Sequence, residues 1–101
     1  MNLVAVSPGK FKRLAYRTSA KYEGVRIRVE SSIPINVFIV QFSELEAWLA
    51  QERIHGAMFT SVTRVRSDFT FPDDFDRDWY LILDNRQSDR PAAVRYELFD
   101  I

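Results

Sequence analysis

Four aspartates crowd into the segment Asp73, Asp74, Asp76 and Asp78, the densest run of carboxylates in this 101-residue chain. Alternating carboxylate oxygens in a loop are the ligands a hard cation such as calcium requires. The run lacks the glycine and the distal glutamate of an EF-hand loop, and Phe75 and Arg77 interrupt it. A solvated acidic turn is the simpler expectation, so no metal is assigned. His55 is the only histidine. A general base needs an orienting carboxylate and a nucleophile close by, and no Ser lies in a G-x-S-x-G elbow. His55 is expected instead to interact with carbonyls at the end of a helix. Asp84 and Asn85 end an apolar run, where such residues usually shape a turn by bonding the backbone. With no cysteine there is no thiolate for zinc or for nucleophilic attack. Neither catalysis nor a cofactor is expected.

Basic residues dominate the first quarter of the chain. Lys10, Lys12, Arg13, Arg17, Lys21, Arg26 and Arg28 face a single acid, Glu23, with Phe11, Tyr16 and Tyr22 between them. Such strands can hold phosphates while aromatic rings stack on bases. They can equally form the wet, edge-protecting face of a sheet. The candidate partner-binding residues are Lys12, Arg13, Arg17, Arg26 and Arg28. Over the whole chain 14 Lys and Arg balance 14 Asp and Glu, which argues against a general polyanion binder and leaves a local basic face. Trp48 and Trp79 could stack on sugars, but each shares its face with leucines and is expected in the core.

The elements that must position these residues follow a period of two. Val25, Ile27 and Val29 alternate with Arg26, Arg28 and Glu30, as in a strand with one buried and one wet face. Strands are also predicted at Phe11–Thr18, Met58–Arg66, Asp68–Phe71, Trp79–Leu83 and Val94–Leu98, with Leu3–Val6 as an optional further one. The run Ile35–Phe42 is apolar almost throughout and predicts a central strand covered on both faces. Pro8-Gly9, Glu23-Gly24, Ser31 to Pro34, Pro72-Asp-Asp and Asp84-Asn85 provide the turns. One segment departs from this period. Leu45, Trp48 and Leu49 have helical spacing, Ser43 and Glu46 form a capping box, and Gly56 suits a left-handed stop. A helix of about three turns, over about 43–54, is predicted.

Residues 24–98 resemble the Golgi-dynamics (GOLD) type β-sandwich and the related pre-peptidase C-terminal domains. The likeness rests on Val25 to Val29, Pro34 to Val40, the helix around Trp48, and above all Asp78-Trp-Tyr-Leu-Ile-Leu-Asp-Asn85 followed by Val94 to Leu98. The long acidic turn before Trp79 replaces the compact glycine turn usual there. The resemblance implies a non-catalytic accessory or interaction module.

The reading is therefore an all-β chain, a single domain over 1–101. Its fold is a seven- to eight-stranded antiparallel β-sandwich with one short connecting helix. It would recognise a protein partner, a second copy of itself or an anionic surface through a sheet edge or the basic N-terminal face. The alternative is a carbohydrate- or calcium-dependent binding domain using the acidic 73–78 loop. No run is long enough to span a membrane and no leader is evident, which favours a soluble, cytoplasmic protein.

Overall fold

Every odd-numbered residue from Val25 to Val29 and from Ile33 to Ile39 is apolar and buried. That unbroken parity explains the central element. The computed structural model describes Met1 to Ile101 and places Gly24–Gln41 in one 18-residue strand, β3. The turn expected at Ser31 to Pro34 is an irregularity inside this strand, with register shifts between Glu30 and Ile35 and between Ile35 and Val37. Proline has no amide to give a ladder and is tolerated at such bulges. The side chains keep facing inward on both sides of it, so the strand bends without ending.

Around β3 lie β1 (Asn2–Val6), β2 (Phe11–Arg17), β4 (Ala57–Thr70), β5 (Asp78–Asp84) and β6 (Ala92–Asp100). All pairings are antiparallel, in the order β1-β6-β3-β5-β2, with β4 on the other side of β3. β6 pairs with the first half of β3, through Val25 to Ser31, and β5 with the second, through Asn36 to Gln41. The sheet thus has two halves that share β3 and β4. Six strands replace the expected seven or eight because Met58–Arg66 and Asp68–Phe71 merge into β4, and the two strands predicted within 25–42 merge into β3. The chain is β-rich with one short helix, as its period of two implied.

The curled sheet closes on one core of 16 buried residues, among them Val6, Val25, Ile27, Ile39, Val65, Trp79, Leu81 and Val94. Leu14 and Tyr16 of β2 pack against it, so every strand contributes. Each fully buried aliphatic side chain here is worth about 1.5–3 kcal/mol relative to exposure. Burial first, and the Tyr96 phenol beside it second, push the Tyr16 hydroxyl above its ordinary pKa. Trp79 donates its indole N–H to the Thr18 hydroxyl at 2.9 Å, which satisfies both buried polar groups.

On the outer face of the second half, Phe38, Val40 and Ile82 form a smaller cluster with Trp48. This accounts for the continuous apolar run at 35–42: both faces are covered. The cover is shorter than predicted. A 3-10 turn at Phe42–Glu44 leads into α1 (Leu45–Leu49), and no capping box forms. The Ser43 amide instead donates to Asp76 Oδ2 at 2.8 Å, drawing the acidic turn onto this end of the sheet. Gln51, with φ of 60°, takes the left-handed position expected of Gly56. Gly56 has a different reason to be glycine. A Cβ there would collide with the Ile39 carbonyl, where the returning chain crosses β3.

Candidate functional site: an arginine-bearing sheet edge and a groove under the helix

The even-numbered residues of the first half face outward, and the register fixes which of them meet. Arg26 stands between Asp68 of β4 and Phe99 of β6. Arg28 stands between Arg66 and Glu97, and Glu30 between Arg64 and Arg95. Five arginines therefore share this face with three carboxylates. Arg26 grips Asp68 through two hydrogen bonds of 2.7 and 3.1 Å, which hold the Asp68 carboxyl below its ordinary pKa. Arg64 reaches Glu30 at 3.5 Å. Arg28 and Arg66 make no ion pair although they sit directly opposite each other, and Arg28 lies over the Phe99 ring. Like charges in register are unfavourable in a sheet.

This face ends at an open edge. β4 pairs with β3 alone, so its other side offers unpaired backbone groups along 14 residues. The edge has two parts. Ala57 to Thr63 carries no charge and contains a bulge, where Ser61 adopts φ of 52° and its amide donates a hydrogen bond to Asn36 Oδ1. Arg64 to Thr70 is regular, each residue facing one partner on β3 from Glu30 to Gly24.

Beside the uncharged part lies a groove of about 620 Å³ with Phe38, Trp48, Ile54 and Met58 as its apolar lining. Its polar end is organised by Asp84, which is 4% exposed. The Asp84 carboxylate accepts two hydrogen bonds from the Arg86 guanidinium, at 2.9 and 3.1 Å, and a third from the Arg86 amide. So held, the guanidinium stacks over the Trp48 ring at 4.5 Å and over Phe11 at 5.4 Å. Trp48 in turn meets Phe11 and Phe38 edge to face. Arginine stacked on an aromatic ring and paired with a carboxylate is a rigid arrangement.

The structure separates the basic residues singled out in the sequence. Lys12 and Arg13, as neighbours on β2, point to opposite faces. Arg13 lies over Tyr80 and Arg17 sits 3.9 Å from Asp78, both on the second half of the sheet. Arg26 and Arg28 belong to the first half, where their neighbours are Arg64, Arg66 and Arg95. Sequence reasoning missed those three, although the Arg64-x-Arg66 alternation within a Thr- and Val-rich run carried the signal. It also missed Arg86.

No three His, Asp or Glu side chains converge anywhere in the chain. In the acidic turn Asp76 is occupied by Ser43 and Asp78 lies beside Arg17, while Asp73 and Asp74 line a shallow pocket with His55 and Gln41. Trp48 and Trp79 are both buried, so neither indole face is open for a sugar. Asn85 acts as a staple. Its amide donates to the carbonyls of Val6, Ser7 and Arg90, tying the β1–β2 turn to the β5–β6 connection, while its Oδ1 finds no donor.

His55 does not bond helix carbonyls. Its Nδ1 is 2.7 Å from Glu44 Oε2, and its amide donates to Oε1 at 3.0 Å. Burial raises the Glu44 pKa, but the bonds from His55 and Gln41 outweigh it and hold the carboxyl below its ordinary value. A lowered carboxyl pKa stabilises the fold above the unfolded value, about 4.3, and that contribution disappears as pH falls through the folded one. The melting-temperature gap between wild type and Glu44→Gln should therefore be full at neutral pH and close below about pH 4. A gap that is unchanged at pH 3 would remove Glu44 from the acid response.

Comparison with known proteins returns no match: no family model and no curated protein aligns with this chain. No helix is long and apolar enough to cross a membrane.

Proposed function

We propose that this chain is a non-catalytic interaction module that recognises a macromolecular partner by adding the partner's extended strand to β4. The carrying observation is the open edge of β4, unpaired along its whole length in a sheet whose other strands are much shorter at their free edges. Unpaired strand edges are templates for another chain, and main-chain hydrogen bonds supply the affinity in such complexes. The groove under α1 borders the same strand through Met58 and Thr60, so a partner running past the bulge meets a pocket for a side chain. The resemblance of residues 24–98 to GOLD-like and pre-peptidase C-terminal domains supports the same role. On that reading the two halves of the curled sheet are the layers of a sandwich.

Strand addition makes a demand that other kinds of binding do not. Peptides selected from a displayed random library should lose binding when amides at alternate positions are N-methylated, and tolerate methylation at the positions between. The β4 amides should become slower to exchange with solvent in the complex. Binding that is indifferent to methylation at every position would sink this reading.

A further inference from the structure

Resting on that reading, we infer that the strand β4 accepts is acidic: an extended segment with carboxylates at alternate positions and apolar residues between them, docking along Arg64 to Thr70.

The site follows from regularity. Across the bulge at Ser61 the edge changes direction, whereas the seven residues from Arg64 to Thr70 keep a one-to-one register with β3. Seven residues are enough for a strand of ordinary length. A strand added there lies about 4.8 Å from β4, and its side chains alternate between the two faces of the sheet.

The chemistry follows from what those faces present. On the outer face the partner's side chains come level with Arg64, Arg66 and Asp68. Asp68 is already gripped by Arg26, and Arg64 is shared with Glu30 at the longer distance of 3.5 Å. Arg66 has no carboxylate at all and faces Arg28. Oppositely charged residues directly across a strand pair attract, and like charges repel. Carboxylates opposite Arg64 and Arg66 therefore complete the charge pattern, and one opposite Arg66 also relieves its repulsion with Arg28. On the inner face Val65 is buried while Ser67 and Phe69 are half-buried, which calls for apolar or β-branched residues in the partner.

The same bookkeeping of charges disfavours a second copy of this chain. Its free edges are β1, with no charge, β2, with Lys12, Arg13 and Arg17, the end of β6 that runs on past β1, with Glu97 and Asp100, and β4 itself. Of the carboxylates on these edges, Asp68 is held by Arg26, while Glu97 and Asp100 are three positions apart and point to opposite faces, so they give no alternating pair. The alternating aspartates at 74–78 are not available as a strand either, because Phe75 between them is buried in the core and Asp76 bonds Ser43.

The test uses synthetic peptides alternating Glu with Val, Lys with Val, and Gln with Val, titrated against the full chain and against two variants. Arg66→Glu is suited to this. It reverses the charge at the edge and gives Arg28 a partner, so it should melt no lower than wild type. Arg64→Gln removes the second cation without reversing it. Wild type should bind the Glu peptide about tenfold or more tighter than the Lys peptide, with the preference shrinking in high salt. Arg66→Glu should erase or invert that preference, and Arg64→Gln should weaken it. Equal binding of all three peptides by wild type would overturn the acidic partner and leave strand addition standing. No binding of any of them would also overturn it, with strand addition then judged by the methylation result alone. A dimer whose β4 amides are protected without any peptide would overturn it in favour of a second copy.

Discussion

Asp84→Ala is expected to lower stability by about 3 kcal/mol, near 12 to 24 °C in melting temperature for a domain of this size. The carboxylate is almost wholly buried and accepts three hydrogen bonds from one residue, Arg86. Removing it leaves a guanidinium with no counter-charge at the rim of the core, and an uncompensated partner is the costly product of breaking such a pair. The Arg86 side chain is about one-third exposed, so water recovers part of the loss and keeps the figure at the lower end. Asp84→Asn retains an acceptor and should fall between wild type and alanine. Thermal unfolding of the three proteins side by side measures this. A drop of only a few degrees for Asp84→Ala would show that the pair is a surface ornament and does not organise the groove.

Trp48→Ala should cost about 3 to 5 kcal/mol, the usual range for emptying a buried large aromatic site. Trp48 is the one side chain of α1 that is buried, and it holds Phe11, Phe38 and Arg86 against one another. Without it a five-residue helix has nothing to keep it on the sheet, since so short a helix is not stable alone. Trp48→Phe should recover much of the stability but less of the stacking with Arg86. The two sites are coupled through that guanidinium, so Trp48→Ala and Asp84→Ala together should cost less than the sum of the single changes. Strict additivity, measured by denaturant unfolding of the four proteins of the cycle, would mean that Arg86 does not link them.

Much of this architecture is legible in the residues because a strand writes its burial with a period of two. Val25 to Ile39 shows it, and so do the apolar face of Trp79, Leu81 and Leu83 and the doubly covered run at 35–42. The core placement of Trp79 follows from the same pattern, and that of Trp48 from the helical spacing it shares with Leu45. The boundaries were harder. Ser31-Ser32-Ile33-Pro34 has the composition of a turn, yet inward parity resumes at Ile33 and the neighbouring strands bridge the irregularity. A proline at a bulge and a proline in a turn look alike locally. The capping box at Ser43 failed for a similar reason, because Asp76, remote in sequence, offered the Ser43 amide a better-placed acceptor.

For the candidate site the division is sharper. Residue types and alternation alone determine a β-rich chain, an apolar core drawn from alternate positions of its strands, and arginines on a wet strand face. Which arginines stand together was decided only by tertiary structure. Cross-strand register brought Arg28 to Arg66 and sent Arg13 and Arg17 to the other half of the sheet. Register and the identity of an open edge depend on which strands pair, and pairing is settled by non-local packing that no local period records.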